Sequence, residues 1–124
     1  MSEDLVKYKE ETINRQFQSF VNAINNMSKR IDDALRDKQK KVNVGADYLN
    51  TLKVGLIIDV SSTLGMTSSD KVQYAKMWFE SKQSDINSLK EISTESQKSF
   101  LNTLDEQIEI CREEVGKMED IIRR

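Results

Sequence analysis

The sequence contains no histidine and a single cysteine, and these two shortages exclude several kinds of site. Zinc sites of the usual kind and acid–base catalysis by histidine need residues that are missing. The chain also lacks a glycine-rich phosphate loop and the Glu-x-x-His motif of metal-binding helical bundles. We therefore expect a protein that is not an enzyme and that binds neither a metal nor a cofactor.

Proline is absent as well, and only four glycines are present. A chain without proline that is 37% hydrophobic and 32% charged favours helix almost throughout, since strand-rich folds need more turn residues. Its 124 residues are enough for one domain. We expect a single all-α domain over residues 1–124.

An excess of positive charge and a long apolar run are missing too. The net charge is −2, which argues against nucleic acid as a partner. The longest apolar stretch, residues 54–60, is far shorter than the ~20 residues that cross a bilayer, and residues 1–7 lack the pattern of a secretory leader. The lone Cys111 fits a reducing compartment and a small buried hydrophobe. We expect a cytoplasmic protein, with export without a leader as the alternative.

Two stripes of apolar residues, one towards each end of the chain, are the strongest pattern present. In each stripe the spacing alternates between three and four, which is the heptad pattern of helices packed along a narrow seam. The first stripe lies within residues 3–42. The second lies within residues 70–123, where Gly116 is the only potential breaker of one long helix. The helix seam is predicted at Phe17, Ile24, Ile31, Leu101, Ile108 and Val115.

The two stripes match in an antiparallel register. Phe17 with Val115, Ile24 with Ile108, and Ile31 with Leu101 are pairs whose residue numbers add to the same value. This predicts a long antiparallel helical hairpin with its turn near residues 64–69. Thr67-Ser-Ser-Asp70 has the pattern of a capping box at the start of the returning helix.

A lone hairpin would leave much apolar surface exposed. We therefore expect the hairpin to complete a four-helix bundle, either by dimerisation or by fold-back at a kink near residues 43–45. Both routes are compatible with the sequence.

Residues 43–66 allow three interpretations: helix, kinked helix or a partly extended segment. Their β-branched residues are typical of a short buried strand, but a lone strand would have no partner. We favour helix over residues 46–63, ending at Leu64-Gly65-Met66 with Gly65 in the left-handed cap conformation.

Apolar residues near the turn lie off the predicted seam and are candidates for partner binding, because Trp, Tyr and Met are favoured at interfaces. A place in the core explains them equally well. They are Val54, Ile57, Ile58, Met66, Tyr74, Met77 and Trp78. A basic cluster at Arg36, Lys38, Lys40 and Lys41 is either an ordinary polar helix end, which we favour, or a contact for phosphate or lipid headgroups.

These patterns favour an interaction or assembly protein, such as an adaptor, a chaperone, or a secretion-type or phage-type partner. Its expected partners are itself, as a homodimer or higher oligomer, and a helical client protein. The alternative is a membrane-active hairpin that inserts residues 54–66, although Lys53 and Asp59 oppose deep insertion. A weaker alternative is a transcriptional regulator, whose affinity for duplex DNA would fall steeply with salt.

Overall fold

The computed structural model describes residues 2–56 and 60–124, and over those residues the fold is all-helical, as the composition predicted. The helices are α1 (Ser2–Arg36), α2 (Lys38–Val44), α3 (Ala46–Gly55), α4 (Ser68–Ile92) and α5 (Glu95–Arg123), with a 3-10 turn at Val60–Thr63 between α3 and α4.

Helices α1 and α5 run antiparallel and form the most extensive helix–helix contact among the described residues. Near the end of α1 the Arg30 guanidinium donates to the Thr103 carbonyl at 3.5 Å, early in α5. Near the start of α1 the Lys9 ammonium donates to the carbonyl of Arg124, which caps the end of α5. Apolar side chains from both stripes are buried between the two helices and form the centre of the core.

The single helix expected over residues 70–123 is interrupted, and this prediction was wrong. Ser93 adopts an extended conformation and ends α4. The Thr94 side chain then accepts the backbone N–H of Gln97, and the Gln97 side chain accepts the backbone N–H of Thr94. Such a capping box satisfies backbone donors that have no partner inside a helix, so it starts a new helix at this point.

Helix α4 therefore returns along α5. Lys90 Nζ lies 2.7 Å from Asp105 and Lys76 Nζ lies 3.6 Å from Glu119, so the two helices are antiparallel neighbours. The predicted hairpin with one turn near residues 64–69 is not the arrangement found, because the chain also reverses direction between α4 and α5.

Helices α4 and α1 are parallel and pack together in the half of the molecule where both begin. Lys71 Nζ donates to Asn14 Oδ1 at 2.7 Å. About two turns further on, the Phe20 and Trp78 rings meet edge to face, with centroids 5.7 Å apart. In this half the core is closed by three helices, α1, α4 and α5.

Two local breaks turn the chain back after α1. The Asp37 carboxylate accepts the backbone N–H groups of Gln39 and Lys40 and so starts α2, within the segment expected to be continuous helix to residue 42. Gly45 separates α2 from α3 with φ 99°, a conformation that side-chain-bearing residues rarely adopt. This second break lies where a kink was expected.

Helix α3 packs antiparallel on the C-terminal half of α1. Near its start the Tyr48 hydroxyl lies 2.9 Å from Ser93 Oγ, and near its end Lys53 Nζ lies 2.7 Å from Asp32. In this half of the molecule, α3 stands as a fourth and much shorter helix beside α1, α4 and α5.

The predictions for residues 43–66 had mixed outcomes. Helix covers Ala46–Gly55 and a 3-10 turn covers Val60–Thr63, while residues 57–59 lie outside the described residues. The left-handed cap at Gly65 was wrong, because Gly45 is the described glycine with positive φ. The capping box of Thr67 and Asp70 is confirmed.

Replacing Gly45 by alanine should destabilise the protein by about 1–2 kcal/mol, because a Cβ opposes this positive φ. The Gly116→Ala variant is the matched control: a Cβ there meets nothing within 4 Å, and the change should stabilise α5 by up to about 1 kcal/mol. Urea unfolding midpoints of the two variants measure both effects. Equal midpoints would contradict the conformation of the chain at Gly45.

The parallel packing of α1 and α4 predicts a coupling between Phe20 and Trp78. A double-mutant cycle with Phe20→Leu and Trp78→Leu should give an interaction energy of about 0.5–1.5 kcal/mol. Either single change already removes the edge-to-face contact between the rings, so the second change cannot remove it again. Phe20→Leu combined with Phe100→Leu supplies the control, because no ring contact joins that pair. Additive effects in the Phe20–Trp78 cycle would refute this packing.

Candidate functional site: an apolar groove between α3 and α4

A groove opens where α3 and α4 face each other without closing. Its volume is about 380 Å³, and aliphatic side chains supply most of its surface. Leu104 of α5 also contributes to its lining. The lining residues are Thr51, Leu52, Gly55 and Leu56 from α3 and its end, Lys82, Asp85, Ile86, Ser88, Leu89 and Ile92 from α4, and Leu104.

The groove follows from the short length of α3 and from the glycine at its end. Its ten residues give a helix about 15 Å long, beside an α4 of 25 residues. Gly55 contributes no side chain to the α3 wall, and a Cβ built there would meet nothing within 4 Å. The two walls are therefore held apart by their separate contacts with α1 and α5 rather than packed on each other.

Lys82 is the one cation among the residues that line the groove. Its Nζ lies 3.7 Å from Asp85, but the Lys82 side chain is only 24% exposed whereas that of Asp85 is 61% exposed. A partly exposed ion pair at this distance is worth about 1 kcal/mol or less. Both side chains line the groove, and the ammonium of Lys82 is held weakly.

Other lysines on the two walls are directed elsewhere. Lys53 of α3 pairs with Asp32 at 2.7 Å, and Lys90 of α4 pairs with Asp105 at the same distance. Both ion pairs fasten a wall helix to its neighbour, which leaves Lys82 and Asp85 as the charged residues that line the groove.

Two exposed apolar side chains lie along one edge of α4, one of them in the groove. Met77 lies eleven residues before Ser88, about three helical turns, so the two share a face. Ile92 lies one turn beyond Ser88 and lines the groove itself. Met77 is 61% exposed and Ile92 is 83% exposed. We call Met77, the groove and Ile92 the α4 edge.

The structure separates the residues predicted to bind a partner. Tyr74 and Trp78 are half-buried, and their rings pack on Phe17 and Phe20 respectively. Met66 is half-buried as well, whereas Val54 and Met77 are exposed. Ile57 and Ile58 lie outside the described residues. Of the predicted set, therefore, Met77 belongs to the α4 edge, and the two rings contribute to the core.

All six predicted seam residues lie in one buried core. They come from the two helices that form the longest contact, and each is less than a tenth exposed. They are Phe17, Ile24, Ile31, Leu101, Ile108 and Val115.

The residues that line the groove were not predicted from the sequence as a binding site. Ile92 is not one of the predicted seam residues, and Lys82 has the pattern of an ordinary surface lysine. Gly55 is the last residue of α3, and a glycine at the end of a helix is common, so it did not mark the groove.

The basic cluster is divided between two helices. Arg36 ends α1 and lies 3.9 Å from Asp33, while Lys40 on α2 lies over the Phe100 ring, 5.9 Å from its centroid. Among the described residues, no group of three or more acidic or cysteine side chains is placed to hold a metal ion, and none of the helices has the length and apolarity to cross a membrane.

Cys111 is buried in the core, as its apolar neighbours predicted. Burial, together with the nearby Glu114 carboxylate, raises the pKa of its thiol to about 12. The thiol is therefore neutral and shielded from reagents at physiological pH.

Comparison with known proteins yields no relative: no protein-family model, curated protein or solved structure matches this chain. The function therefore has to be argued from the groove and the α4 edge themselves.

The raised pKa of Cys111 predicts a loss of stability at alkaline pH. Below the ordinary thiol pKa of 9.0 both states are protonated, and as the pH rises towards about 12 only the unfolded state ionises. The free energy of unfolding should fall over this interval in the wild type by more than in Cys111→Ala. Urea titrations at several pH values measure the difference, and parallel curves for the two proteins would contradict the burial of the thiol.

Proposed function

We propose that this chain is a non-enzymatic helical interaction protein whose binding surface is the α4 edge. The observation that carries the proposal is the exposure of Ile92, which lines the apolar groove, and of Met77, which shares a face of α4 with the lining residue Ser88. Large apolar side chains exposed in line along one helix are typical of a surface that another protein covers.

A partner helix fits the dimensions of this edge. Met77 and Ile92 are fifteen residues apart, about 22 Å along α4. Helices docking on such surfaces contact them with apolar side chains spaced three and four residues apart. A helix of about four turns laid along α4 would cover both residues and roof the groove between them.

A second copy of the chain is the partner that we favour. Between Met77 and Ile92 the α4 edge carries the small side chains of Ser81, Ser84 and Ser88, with the ion pair of Lys82 and Asp85 beside them. In an antiparallel dimer, Met77 of each copy would lie opposite Ile92 of the other copy. Serines would lie between the two helices, where close approach is needed. Such a two-fold contact is the commonest way in which proteins dimerise. This route completes a bundle by dimerisation, while a helical client remains the other candidate partner.

Self-association provides the test. Light scattering over a wide concentration range should show the mass rising from 14.3 kDa towards twice that value. The Met77→Asp/Ile92→Asp variant should stay monomeric at every concentration, because it introduces charge at both ends of the contact. Both side chains are exposed, so the variant should fold as the wild type does.

Val42→Asp is the matched control. Val42 is an equally exposed aliphatic residue on α2, away from the α4 edge, and its replacement should leave the association unchanged. A wild type that stays monomeric throughout would refute the homodimer, and equal weakening by both variants would refute the assignment to the α4 edge.

A further inference from the structure

We propose that the groove between α3 and α4 binds a single-chain amphiphile with an anionic head, of which a medium-chain carboxylate is the simplest example. The aliphatic chain lies along Leu52, Leu89 and Leu104, and the head lies at Lys82. The inference goes beyond the interaction function, because this ligand lies inside the groove, whereas the interaction rests on the exposed side chains of Met77 and Ile92.

The shape of the groove favours a slender occupant. Leu52, Leu56, Ile86 and Leu104 line it, yet each is less than a tenth exposed, so little of any one side chain is open to an occupant. An α-helix with side chains is about 10 Å across and cannot enter such a cleft. A volume of about 380 Å³ falls within the range of sites for small molecules, roughly 300–1,000 Å³.

The same dimensions argue against a protein as the occupant of the groove itself. A stable protein interface buries about 800 Å² on each partner, far more than a cleft of this volume supplies. A partner that merely covered the α4 edge would leave the groove as a void, and the aliphatic side chains around a void lose contacts. A chain one methylene wide restores those contacts.

The chemistry of the lining specifies an aliphatic ligand. Its apolar members are leucines and isoleucines, and the described lining residues include no aromatic ring on which a flat ligand could stack. The polar members, Thr51, Lys82, Asp85 and Ser88, are few, as in small-molecule sites where a few polar groups orient an otherwise apolar ligand.

Lys82 selects the charge of the head. Its side chain is the less exposed member of the pair with Asp85, and its pairing at 3.7 Å is loose enough to exchange for a ligand carboxylate. The Asp85 carboxylate is more exposed to water, where its repulsion of an anion is screened. The local charge thus favours an anion over a cation.

Calorimetric titration with octanoate, decanoate and dodecanoate, each below its micelle-forming concentration, tests the chain. Each methylene that enters the groove should raise the affinity about fourfold. The gain should stop once the chain exceeds the length of the groove, about 15 Å between Lys82 and Ile92 along α4. Affinity that does not depend on chain length would overturn the proposal.

Two glycine variants locate the binding. Gly55→Leu puts a side chain into the groove, where a Cβ has free space, and should weaken decanoate binding at least tenfold. Gly116→Leu adds the same side chain to α5, also into free space but outside the groove, and should leave binding unchanged. Thermal unfolding verifies that both variants are folded. Equal affinities in the two variants would overturn the assignment to the groove.

Two lysine variants test the head. Lys82→Gln should weaken decanoate binding several-fold and leave decanol binding unchanged, whereas Lys98→Gln should affect neither. Lys98 is a suitable control because it also forms an ion pair within one turn of its helix, 3.7 Å from Glu95. Equal effects of the two changes, or tighter binding of decyltrimethylammonium than of decanoate, would overturn the role of Lys82.

One result would identify a different occupant. If no carboxylate binds, while Gly55→Leu changes the mass measured by light scattering, the groove belongs to the contact between copies and the ligand proposal fails. Failure of the interaction proposal is seen separately, because it rests on Met77 and Ile92 and is measured without any ligand.

Discussion

The antiparallel contact between α1 and α5 is the constraint on which the remaining structure depends. It joins the two longest helices through their apolar stripes, and the most completely buried side chains, including Ile31 and Leu101, lie along it. Burying a leucine or isoleucine contributes roughly 1.5–3 kcal/mol, so no shorter helix of this chain could offset the loss of that contact. Helices α3 and α4 occupy the positions that the pair leaves open.

Those positions are filled differently in the two halves of the molecule. Where α1 and α4 begin, the rings of Phe20 and Trp78 are large enough to close a core of three helices. Where they end, α1 and α4 no longer touch through aromatic rings, and α3 stands between them as a fourth helix. Because α3 is fastened to α1 by Lys53 and to the α4–α5 turn by Tyr48, it is held at a distance from the α4 wall. The groove is thus a consequence of the chain topology.

The helical content and the burial of the two stripes could be predicted because they depend on periodicity alone. The hairpin could not, since a heptad repeat aligns with another at every seventh offset and does not reveal where a helix stops. The sequence nevertheless contains a signal for the break between α4 and α5. Thr94 and Gln97 have the same spacing as Thr67 and Asp70, which form the capping box that was predicted. The first box follows a glycine-rich stretch, whereas the second lies inside a polar run that fits an exposed helix face equally well.

The groove could be predicted even less, because it depends on distances between elements and not on any local pattern. Leu89 and Leu104 have the appearance of ordinary core residues, and only the early end of α3 leaves them beside an unfilled space. The glycine at position 55 is no signal by itself, since Gly116 also has free space beside its Cα. Gly55 differs from Gly116 because aliphatic side chains and one weakly paired lysine line the space beside it. A side chain at that position would fill part of the groove without strain. Packing alone therefore does not explain why the groove is open. Local departures of this kind from good packing are where function is most often found in a helical protein.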